Sequence, residues 1–278
     1  MKKGFPITHK AKREFGQNFL KDEHYLHQII ESIPEEARKV GVVEVGPGLG
    51  DLTNKLLGFW DVLAFEVDTD LRPHLEKRFQ KELSIGRFEI RFGDVMEEWR
   101  EKRSLIPRPY VLVSNLPYYV ATAIILKALK DPMCHSLVVM VQKEVAEKFC
   151  ARSGESDFSA LSVITESYGE SELLFEVPPQ AFEPAPKVTS AVFRVVKHHG
   201  EVAEGLEELL RLAFSAPRKK VLKNLASGYE TSRLKEAFGA LNLKEEARAH
   251  ELETSHYHRL LKILNKGGNH NGREEQIK

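Results

Sequence analysis

The sequence predicts a mixed α/β domain with a mainly parallel sheet, followed by a small all-helical domain. In the first two thirds of the chain, short apolar runs alternate with segments whose apolar residues recur at helical spacing. This alternation is typical of a parallel sheet covered by helices on both faces. Two later apolar runs, ELLFEV and SAVFRVV, have no helix between them, and they predict an antiparallel hairpin at one edge of the sheet.

The individual elements follow from these runs. Strands are predicted over residues 40–45, 62–67, 88–92, 110–113 and 137–141. Helices are predicted over residues 51–57, 70–83 and 121–130, where the apolar residues share one helical face. The hairpin connection PPQAFEPAPKVT is rich in proline and is expected to be a stiff loop.

The strand pattern stops near residue 199. Segments 201–214, 219–225, 232–238 and 254–264 have helical patterns instead. We therefore predict one domain over residues 1–199, which includes a basic N-terminal arm, and a helical domain over residues 200–265. The tail over residues 266–278 is polar and glycine-rich and is expected to be disordered.

Composition indicates a globular protein of a reducing compartment. The chain has 42% hydrophobic and 29% charged residues, and its 2 cysteines are too few for a disulfide framework. We expect a cytoplasmic location and no secretory signal, because no apolar stretch follows the basic first twelve residues. No membrane span is expected, because Ser114, Asn115 and Pro117 interrupt the longest uncharged run. The scattered histidines predict no metal site.

Charge is balanced over the whole chain but not locally. The 41 basic and 41 acidic residues give a net charge of zero, so whole-chain charge does not favour nucleic-acid binding. The N-terminal arm and the segment PRKKVLKN are nevertheless basic, and each is either a solvated surface or a contact for nucleic-acid backbone. The basic residues considered for such a contact are Lys10, Lys12, Arg13, Arg218, Lys219, Lys220 and Lys223.

The segment VVEVGPGLGDLT joins the first strand to the first helix. Gly46, Gly48 and Gly50 allow a sharp turn and a close approach of a ligand. The third glycine comes one residue too early for a dinucleotide fingerprint, and Asp51 takes its place. A carboxylate at a helix start would repel a pyrophosphate, which disfavours a dehydrogenase. The loop therefore predicts a nucleoside-type ligand without phosphates, such as S-adenosylmethionine.

Acids follow at the next two strand ends. Glu66 lies twenty positions after Gly46, where an acid commonly accepts hydrogen bonds from ribose hydroxyls. Asp94 is placed to accept a hydrogen bond from an adenine amino group, with Val95 against the ring. The alternative is that these are ordinary strand-to-helix turns.

The segment VSNLPYYVATAI leaves the fourth strand at the same crevice. The exocyclic amino group of a base is a poor nucleophile, because its lone pair is delocalised into the ring. Acceptors at the Asn115 side chain and the Leu116 carbonyl would favour a pyramidal nitrogen, and Pro117 restrains the preceding residue. Such a base must leave its helix. Tyr118 and Phe182 are candidate stacking surfaces, although either could be a core aromatic.

These segments together resemble the ribosomal RNA adenine dimethylases, and most of all the branch that acts on bacterial small-subunit RNA. The combination of FGQNFL, NLPY and the proline-rich segment is highly specific. The matching segments are FGQNFL (15–20), VEVGPGLGDLT (43–53), FEVD (65–68), GDVM (93–96), NLPYYVAT (115–122), VQKEVAEKF (141–149), VPPQAFEPAPKVTSAVFR (177–194) and RKKVLKNL (218–225).

The resemblance implies a Rossmann-like class I methyltransferase sheet with a helical domain that docks on RNA. S-adenosylmethionine would be the methyl donor and S-adenosylhomocysteine the product. The acceptors would be two adjacent adenosines in the 3′-terminal hairpin of small-subunit RNA, dimethylated at N6 within a small ribosomal subunit by a monomeric enzyme. The residues implied are Gln17, Asn18, Leu20, Gly46, Glu66, Asp94, Val95 and Asn115 for the donor, and Asn115, Leu116, Tyr118 and Phe182 for the base.

The sequence departs from the family pattern at two positions and leaves alternatives open. Tyr119 stands where a small polar residue is usual, and Thr189 replaces a common aspartate. One alternative is the related group that dimethylates large-subunit RNA and confers macrolide resistance, which NLPY and FGQNFL disfavour. Leu116 disfavours a DNA adenine methyltransferase. A non-catalytic ribosome assembly factor is disfavoured because the acids and the amide are intact.

Overall fold

The computed structural model describes residues 12, 16–35, 37–198 and 202–266. Its strands are β1 (Phe19–Leu20), β2 (Val42–Val45), β3 (Val62–Glu66), β4 (Phe88–Phe92), β5 (Tyr110–Asn115), β6 (Cys134–Gln142), β7 (Gly169–Val177), β8 (Phe182–Glu183) and β9 (Ser190–Lys197). Its α-helices are α1 (Glu23–Glu31), α2 (Ala37–Val40), α3 (Asp51–Leu56), α4 (Arg72–Arg78), α5 (Gln80–Ser84), α6 (Val95–Glu98), α7 (Ala121–Lys130), α8 (Lys143–Cys150), α9 (Ala160–Tyr168), α10 (Leu206–Ala213), α11 (Val221–Leu225), α12 (Thr231–Ala240) and α13 (Thr254–Lys266).

A seven-stranded sheet forms the centre of the first part of the chain, in the order β4-β3-β2-β5-β6-β9-β7. Neighbours from β4 to β6 are parallel, and β9 is antiparallel to β6. The predicted mixed sheet, with parallel strands and an antiparallel edge, is therefore confirmed. The chain runs outward from β2 to β4 and then returns to β5. The carboxyl ends of β2 and β5 consequently flank a switch point, where open α/β sheets bind ligands.

Two predicted elements differ in detail. The first strand begins at Val42, because residues 37–40 form α2 instead. The predicted helix over residues 70–83 is broken between α4 and α5 at Phe79, whose backbone leaves helical geometry at φ −112° and ψ 25°. The buried Phe79 ring packs edge to face on Phe88 at 5.1 Å, and this core contact accounts for the break.

A two-stranded ribbon joins two distant segments. β1 pairs antiparallel with β8, with Leu20 opposite Phe182. The amide of Lys21 extends the pairing by donating to the Ala181 carbonyl at 2.8 Å. The proline-rich connection thus contains a short strand, and it anchors the segment that precedes α1.

The chain divides into two compact units. Among the described residues, the first contains residues up to Ala146 with Glu170–His198, and the second contains Glu147–Gly169 with residues 202–266. The sequence predicts a single division near residue 199, so the segment Glu147–Gly169 differs from that expectation.

The second unit is helical. Within it, α9 contacts α10 and α13, and Phe214 lies between Phe158 and Tyr257 with ring centroids 6.3 and 5.7 Å away. This packing explains why the segment containing α9 joins the later helices. Of the predicted tail, Lys266 is the last residue of α13, and residues 267–278 lie outside the described part.

Neither a membrane-spanning helix nor a metal cluster is found among the described residues. None of the helices there combines the length and hydrophobicity that a bilayer crossing requires. In the same ranges, no group of three or more His, Cys, Asp or Glu side chains is placed to hold a metal ion.

Candidate active site

A large cavity opens at the carboxyl ends of β2, β3 and β5. It contains about 1030 Å³ of empty space, part of which is open to solvent. This cavity brings together most of the residues that the sequence predicted to bind the methyl donor and the target base. The predicted residues that line it are Gln17, Asn18, Leu20, Gly46, Glu66, Asp94, Val95, Asn115 and Leu116.

The glycine turn after β2 forms one wall of the cavity. Gly48 has a φ of +57°, and a Cβ there would lie 2.8 Å from the Phe19 ring. Any side chain at this position would therefore collide with β1. Gly46, with a φ of +72°, packs against the Pro117 ring. The turn thus touches both the FGQNFL segment and the NLPY segment.

The cavity wall is acidic. Glu44, Asp51, Glu66 and Asp94 line it, and the described lining contains no Lys, Arg or His. Burial raises the pKa of Glu44 to about 8, so this carboxyl is mostly neutral at neutral pH. Such a wall suits a cationic ligand and disfavours a polyphosphate. S-adenosylmethionine, with its sulfonium, amino group and uncharged nucleoside, fits this donor set.

Glu66 is held rigidly at the end of β3. It is only 4% exposed, and its two oxygens accept hydrogen bonds from the Gly48 amide at 3.1 Å and the Asp68 amide at 2.8 Å. Burial raises its pKa despite these hydrogen bonds. Each carboxylate oxygen retains a lone pair, so Glu66 can also accept hydrogen bonds from ribose hydroxyls.

An ion pair fastens the N-terminal segment beside Glu66. The Lys12 ammonium lies 2.6 Å from oxygens of both Asp68 and Asp70, and Gln17 donates to Asp68 at 2.8 Å. Burial alone would raise the pKa of Asp68, but the hydrogen bonds from Lys12 and Gln17 lower it. The sequence suggests Lys12 as a contact for RNA backbone; in the structure its charge is committed to these acids.

Asp51 begins α3 and has two cationic neighbours. Its oxygens lie 2.6 Å from the Lys21 ammonium and 2.9 Å from the Arg78 guanidinium. Burial would raise its pKa, but the hydrogen bond from Lys21 and the charge of Arg78 lower it. Asp51 by itself therefore repels a pyrophosphate less than the sequence suggests, because two cations offset part of its charge. The acidic wall as a whole disfavours a pyrophosphate more strongly.

Asp94 and Val95 lie at the start of α6. One Asp94 oxygen accepts a hydrogen bond from the Met96 amide at 2.8 Å and so caps this helix. The other oxygen remains available for an adenine amino group. Val95 is buried beside it and lines the cavity.

Asn115 is oriented by the segment before α1. Its Nδ2 donates to the Asn18 carbonyl at 3.1 Å, and Asn18 in turn donates to the Gly16 carbonyl at 3.0 Å. In the described part of the chain, nothing donates to Oδ1 of Asn115 or to the Leu116 carbonyl. Two adjacent acceptors therefore remain available at the end of β5.

The aromatic residues are placed differently from our expectation. The Tyr118 hydroxyl hydrogen-bonds to Ser190 at 2.7 Å, and Phe182 is 5% exposed in the core near Leu20. Neither is among the residues that line the cavity. Tyr119, which the sequence showed only as a departure from the family pattern, lines it with a ring that is 63% exposed.

The second basic cluster surrounds the start of α11. Its four members are all exposed: Arg218, Lys219, Lys220 and Lys223. Lys220 forms an ion pair with Glu246. The other three have no ion pair with a described residue, and they remain the candidates for RNA backbone. Lys10 and Arg13 lie outside the described residues.

Several residues that shape the cavity were not identified from sequence. Phe19 stands inside the FGQNFL segment, so the motif itself carried a signal for it. Lys21 and Arg78 reach Asp51 from positions 30 and 27 residues away in sequence, and no local pattern indicates such contacts. Glu44 lies within an apolar strand, where a lone acid is a signal for a buried polar role.

Comparison with known proteins agrees with this geometry. The family model described as ribosomal RNA adenine dimethylase matches residues 8–266. The ribosomal RNA small subunit methyltransferase A of Sulfurimonas denitrificans is 50% identical over 91% of this chain and 93% of its own length. The protein of the same name from Helicobacter hepaticus is 45% identical over 96% of this chain and 95% of its own.

Solved structures show the same fold. A dimethyladenosine transferase from Plasmodium falciparum matches with a TM-score of 0.73 and 25% identity, over 90% of this chain and 98% of that chain. The 23S rRNA methyltransferase ErmE matches with a TM-score of 0.68 and 26% identity, over 89% of this chain and 100% of that chain. The family match spans nearly the whole chain, and the two small-subunit methyltransferases are far above the identity at which unrelated proteins overlap. The chain therefore belongs to the ribosomal RNA adenine dimethylase family.

Proposed function

We propose that the protein dimethylates the N6 amino groups of two adjacent adenosines in the 3′-terminal hairpin of small-subunit ribosomal RNA. The observation that carries this function is the pairing of an acidic cavity, without a cation in its described lining, with two available acceptors at its rim. The relatives that are 50% and 45% identical are both small-subunit methyltransferases, which favours that RNA as the substrate.

The donor side of the reaction depends on the acidic wall. When bound, S-adenosylmethionine supplies an electrophilic methyl group on its sulfonium and leaves as S-adenosylhomocysteine. Glu66 would hold the ribose, Asp94 and Val95 the adenine, and Gly46 the methionine part. Gln17, Asn18 and Leu20 would cover the bound donor from the N-terminal side. The negative charge of the wall favours the cationic donor over the neutral product.

The acceptor side depends on the two available oxygens at the end of β5, which form the rim of the cavity. Asn115 Oδ1 and the Leu116 carbonyl would accept hydrogen bonds from the two N–H groups of the adenine amino group and turn its lone pair toward the methyl group. A carbon–nitrogen bond then forms as the carbon–sulfur bond breaks, and the product ammonium releases a proton to water. No strong base is needed, so positioning and charge placement provide most of the rate. Tyr118 and Phe182 would hold the base only after a rearrangement, because neither lines the cavity in this structure.

The cellular setting is part of the same proposal. The protein would act as a monomer in the cytoplasm, on a small ribosomal subunit whose RNA it modifies during ribosome biogenesis. The cations Arg218, Lys219 and Lys223 would contact sugar-phosphate backbone from the helical unit, with no role in reading sequence.

Labelled S-adenosylmethionine and undermethylated small subunits provide the test. We expect label on two adjacent adenosines of the 3′-terminal hairpin and none on fully methylated subunits. Large subunits are included because ErmE, a 23S rRNA methyltransferase, shares the fold. Label on large-subunit RNA alone would favour that second function. Tight binding to small subunits without any transfer would instead favour an assembly factor.

A further inference from the structure

A second cleft lies at the amino ends of the parallel strands, opposite the carboxyl ends that carry the donor cavity. Val42, Asp61, Arg87 and Tyr110 line it, and they stand at or just before the first residues of β2, β3, β4 and β5. In a parallel sheet these amino ends face away from the edge that carries the donor cavity. The cleft contains about 990 Å³ of empty space, including open solvent. None of the residues assigned to the methyl-transfer reaction lines it.

The cleft is basic. Four cations and a single acid line it in the described part of the chain: Arg38, Lys39, Arg87, Arg108 and Asp61. Arg87 is paired with Asp61 at 3.1 Å and also donates to the Trp60 carbonyl at 3.1 Å. The other three cations have no ion pair with any residue that the structure describes. Three uncompensated positive charges therefore face one concave surface, in a chain whose net charge is zero.

An exposed aromatic ring lies at the same cleft. Phe59 is 62% exposed, and its ring packs against Trp60 at 5.3 Å with a 47° tilt. Trp60 is buried, whereas most of the Phe59 side chain meets solvent. Flat aromatic surfaces beside cations bind single-stranded nucleic acid, because a base stacks on the ring while phosphates pair with the cations.

We propose that this cleft is a second RNA-binding site, which holds a short single-stranded segment with one base on Phe59 and phosphates at Arg38, Lys39 and Arg108. An acidic protein would satisfy the cations but would have no specific use for the flat ring, so RNA is favoured. The identification of the RNA as ribosomal rests on the proposed function. The site would add affinity and register at the edge remote from the chemistry.

A charge variant provides the first test. Arg38→Gln, Lys39→Gln and Arg108→Gln are combined, and the control combines Lys81→Gln, Lys148→Gln and Lys235→Gln, three exposed lysines outside both cavities. Binding of a fluorescent single-stranded RNA of about 12 nucleotides is measured against salt. We expect the slope of log affinity against log salt to fall by about 2 in the cleft variant. An equal slope in both variants would overturn the proposal.

A ring variant provides the second test. Phe59→Leu keeps an apolar side chain but removes the flat surface, and Ile85→Ala, at a residue that is 59% exposed, is its control. We expect RNA affinity to fall about tenfold in Phe59→Leu alone, without a change in salt slope. Photo-crosslinking of 4-thiouridine RNA to the peptide containing Phe59 should disappear in the same variant. Unchanged affinity would overturn the stacking role.

The proposed methyl-transfer function and the second RNA-binding site can be overturned independently of each other. Donor binding and single-turnover methylation at saturating subunits should be normal in the cleft variants, because none of the substituted residues lines the donor cavity. If the wild-type protein methylates no ribosomal RNA, the proposed function fails, but the RNA-binding comparison still decides the cleft. If the cleft variants bind naked RNA normally and lose affinity only for intact subunits, the cleft binds a ribosomal protein and the RNA proposal is wrong.

Discussion

The carboxyl and amino ends of the parallel strands carry cavities of opposite charge. At the carboxyl edge, Glu66, Asp51 and Asp94 line a cavity with no cation in its described lining, although Lys21 and Arg78 pair with Asp51 from outside that lining. At the amino edge, Arg38, Lys39 and Arg108 surround a cleft whose one described acid is already paired. A chain of zero net charge has thus separated its charges across one sheet. Whole-chain charge therefore says little about partners when binding surfaces lie at opposite ends of the strands.

The difference also concerns rigidity. The acidic edge is closed by glycine turns and by the ribbon of β1 and β8, and its polar groups are fixed by hydrogen bonds. The basic edge is lined by long side chains that can adapt to a flexible polyanion. We infer that the first edge is organised for chemistry on a defined small ligand and the second for loose retention of a chain.

The strongest test of this contrast is the removal of the rim amide. Asn115→Ala deletes one acceptor for the adenine amino group and leaves the donor wall in place. We expect single-turnover methyl transfer to fall by roughly a hundredfold or more, with donor binding nearly unchanged. The exposed Asn54 on α3 offers the matched control Asn54→Ala, which should be normal. An undiminished rate in Asn115→Ala would remove this amide from the mechanism.

The acidic wall itself is tested at β3. Glu66→Gln removes the negative charge that faces the ribose, and a hydrogen bond to a charged group is worth more than one to a neutral group. We expect donor affinity, measured by calorimetry, to fall by about 10- to 100-fold. Glu89→Gln, on the exposed face of β4, is the control. Equal affinities for the two variants would show that the wall does not select the donor by charge.

A third test concerns the basic cluster of the helical unit and shows which of its cations contact RNA. Neutralising Arg218, Lys219 and Lys223 should weaken subunit binding and lower its salt slope by about 2 to 3. Lys220→Gln alone should have a smaller effect, because Lys220 is already paired with Glu246. A salt slope equal to that of wild type in the triple variant would show that these residues do not contact RNA backbone. Fluorescence titration of small subunits at several salt concentrations is the measurement.

A last test concerns the stability cost of the acidic edge. Burial raises the pKa of Glu44 to about 8 from 4.5, so the folded state retains a proton that the unfolded state loses across this range. Wild type therefore loses stability as pH rises from 4.5 to about 8. Glu44→Gln keeps an acceptor for the Thr53 hydroxyl, which lies 2.6 Å from the Glu44 carboxyl in wild type, and does not titrate.

The Glu44→Gln variant should gain stability over wild type progressively with pH. The gain should approach a few kcal/mol at most, since one pKa unit corresponds to about 1.4 kcal/mol. Thermal unfolding at about pH 5 and about pH 9 measures it, and the two proteins should differ more at the higher pH. The same difference at both pH values would show that Glu44 does not carry the shifted pKa.

The sequence predicted the parts of the site that depend on strand order. Glu66, Asp94 and Asn115 each follow or end an apolar run, and parallel strands bring their carboxyl ends to one edge, so strand order alone is enough to place these residues together. The same apolar runs predicted all the parallel strands. Resemblance to the family added Gln17, Asn18 and Leu20, which no strand pattern indicates.

Part of what escaped prediction depends on contacts between distant segments. The strands β1 and β8 have two residues each, too few for a periodic signal. The commitment of Lys12 to Asp68 and Asp70 and the burial of Phe182 are decided by folding partners far away in sequence. Local sequence cannot distinguish a paired Lys12 from a free cation, or a buried Phe182 from an exposed ring.

The division of the chain also limits how the protein can be shortened. Because α9 packs with α10 and α13, a stop after residue 198 would leave Phe158 and the inner face of α9 without their partners. The side-chain hydrogen bond between Ser167 and His258 and the one that Thr254 donates to Glu166 would be lost as well. A catalytic fragment obtained by trimming the carboxyl terminus would thus expose apolar surface and aggregate.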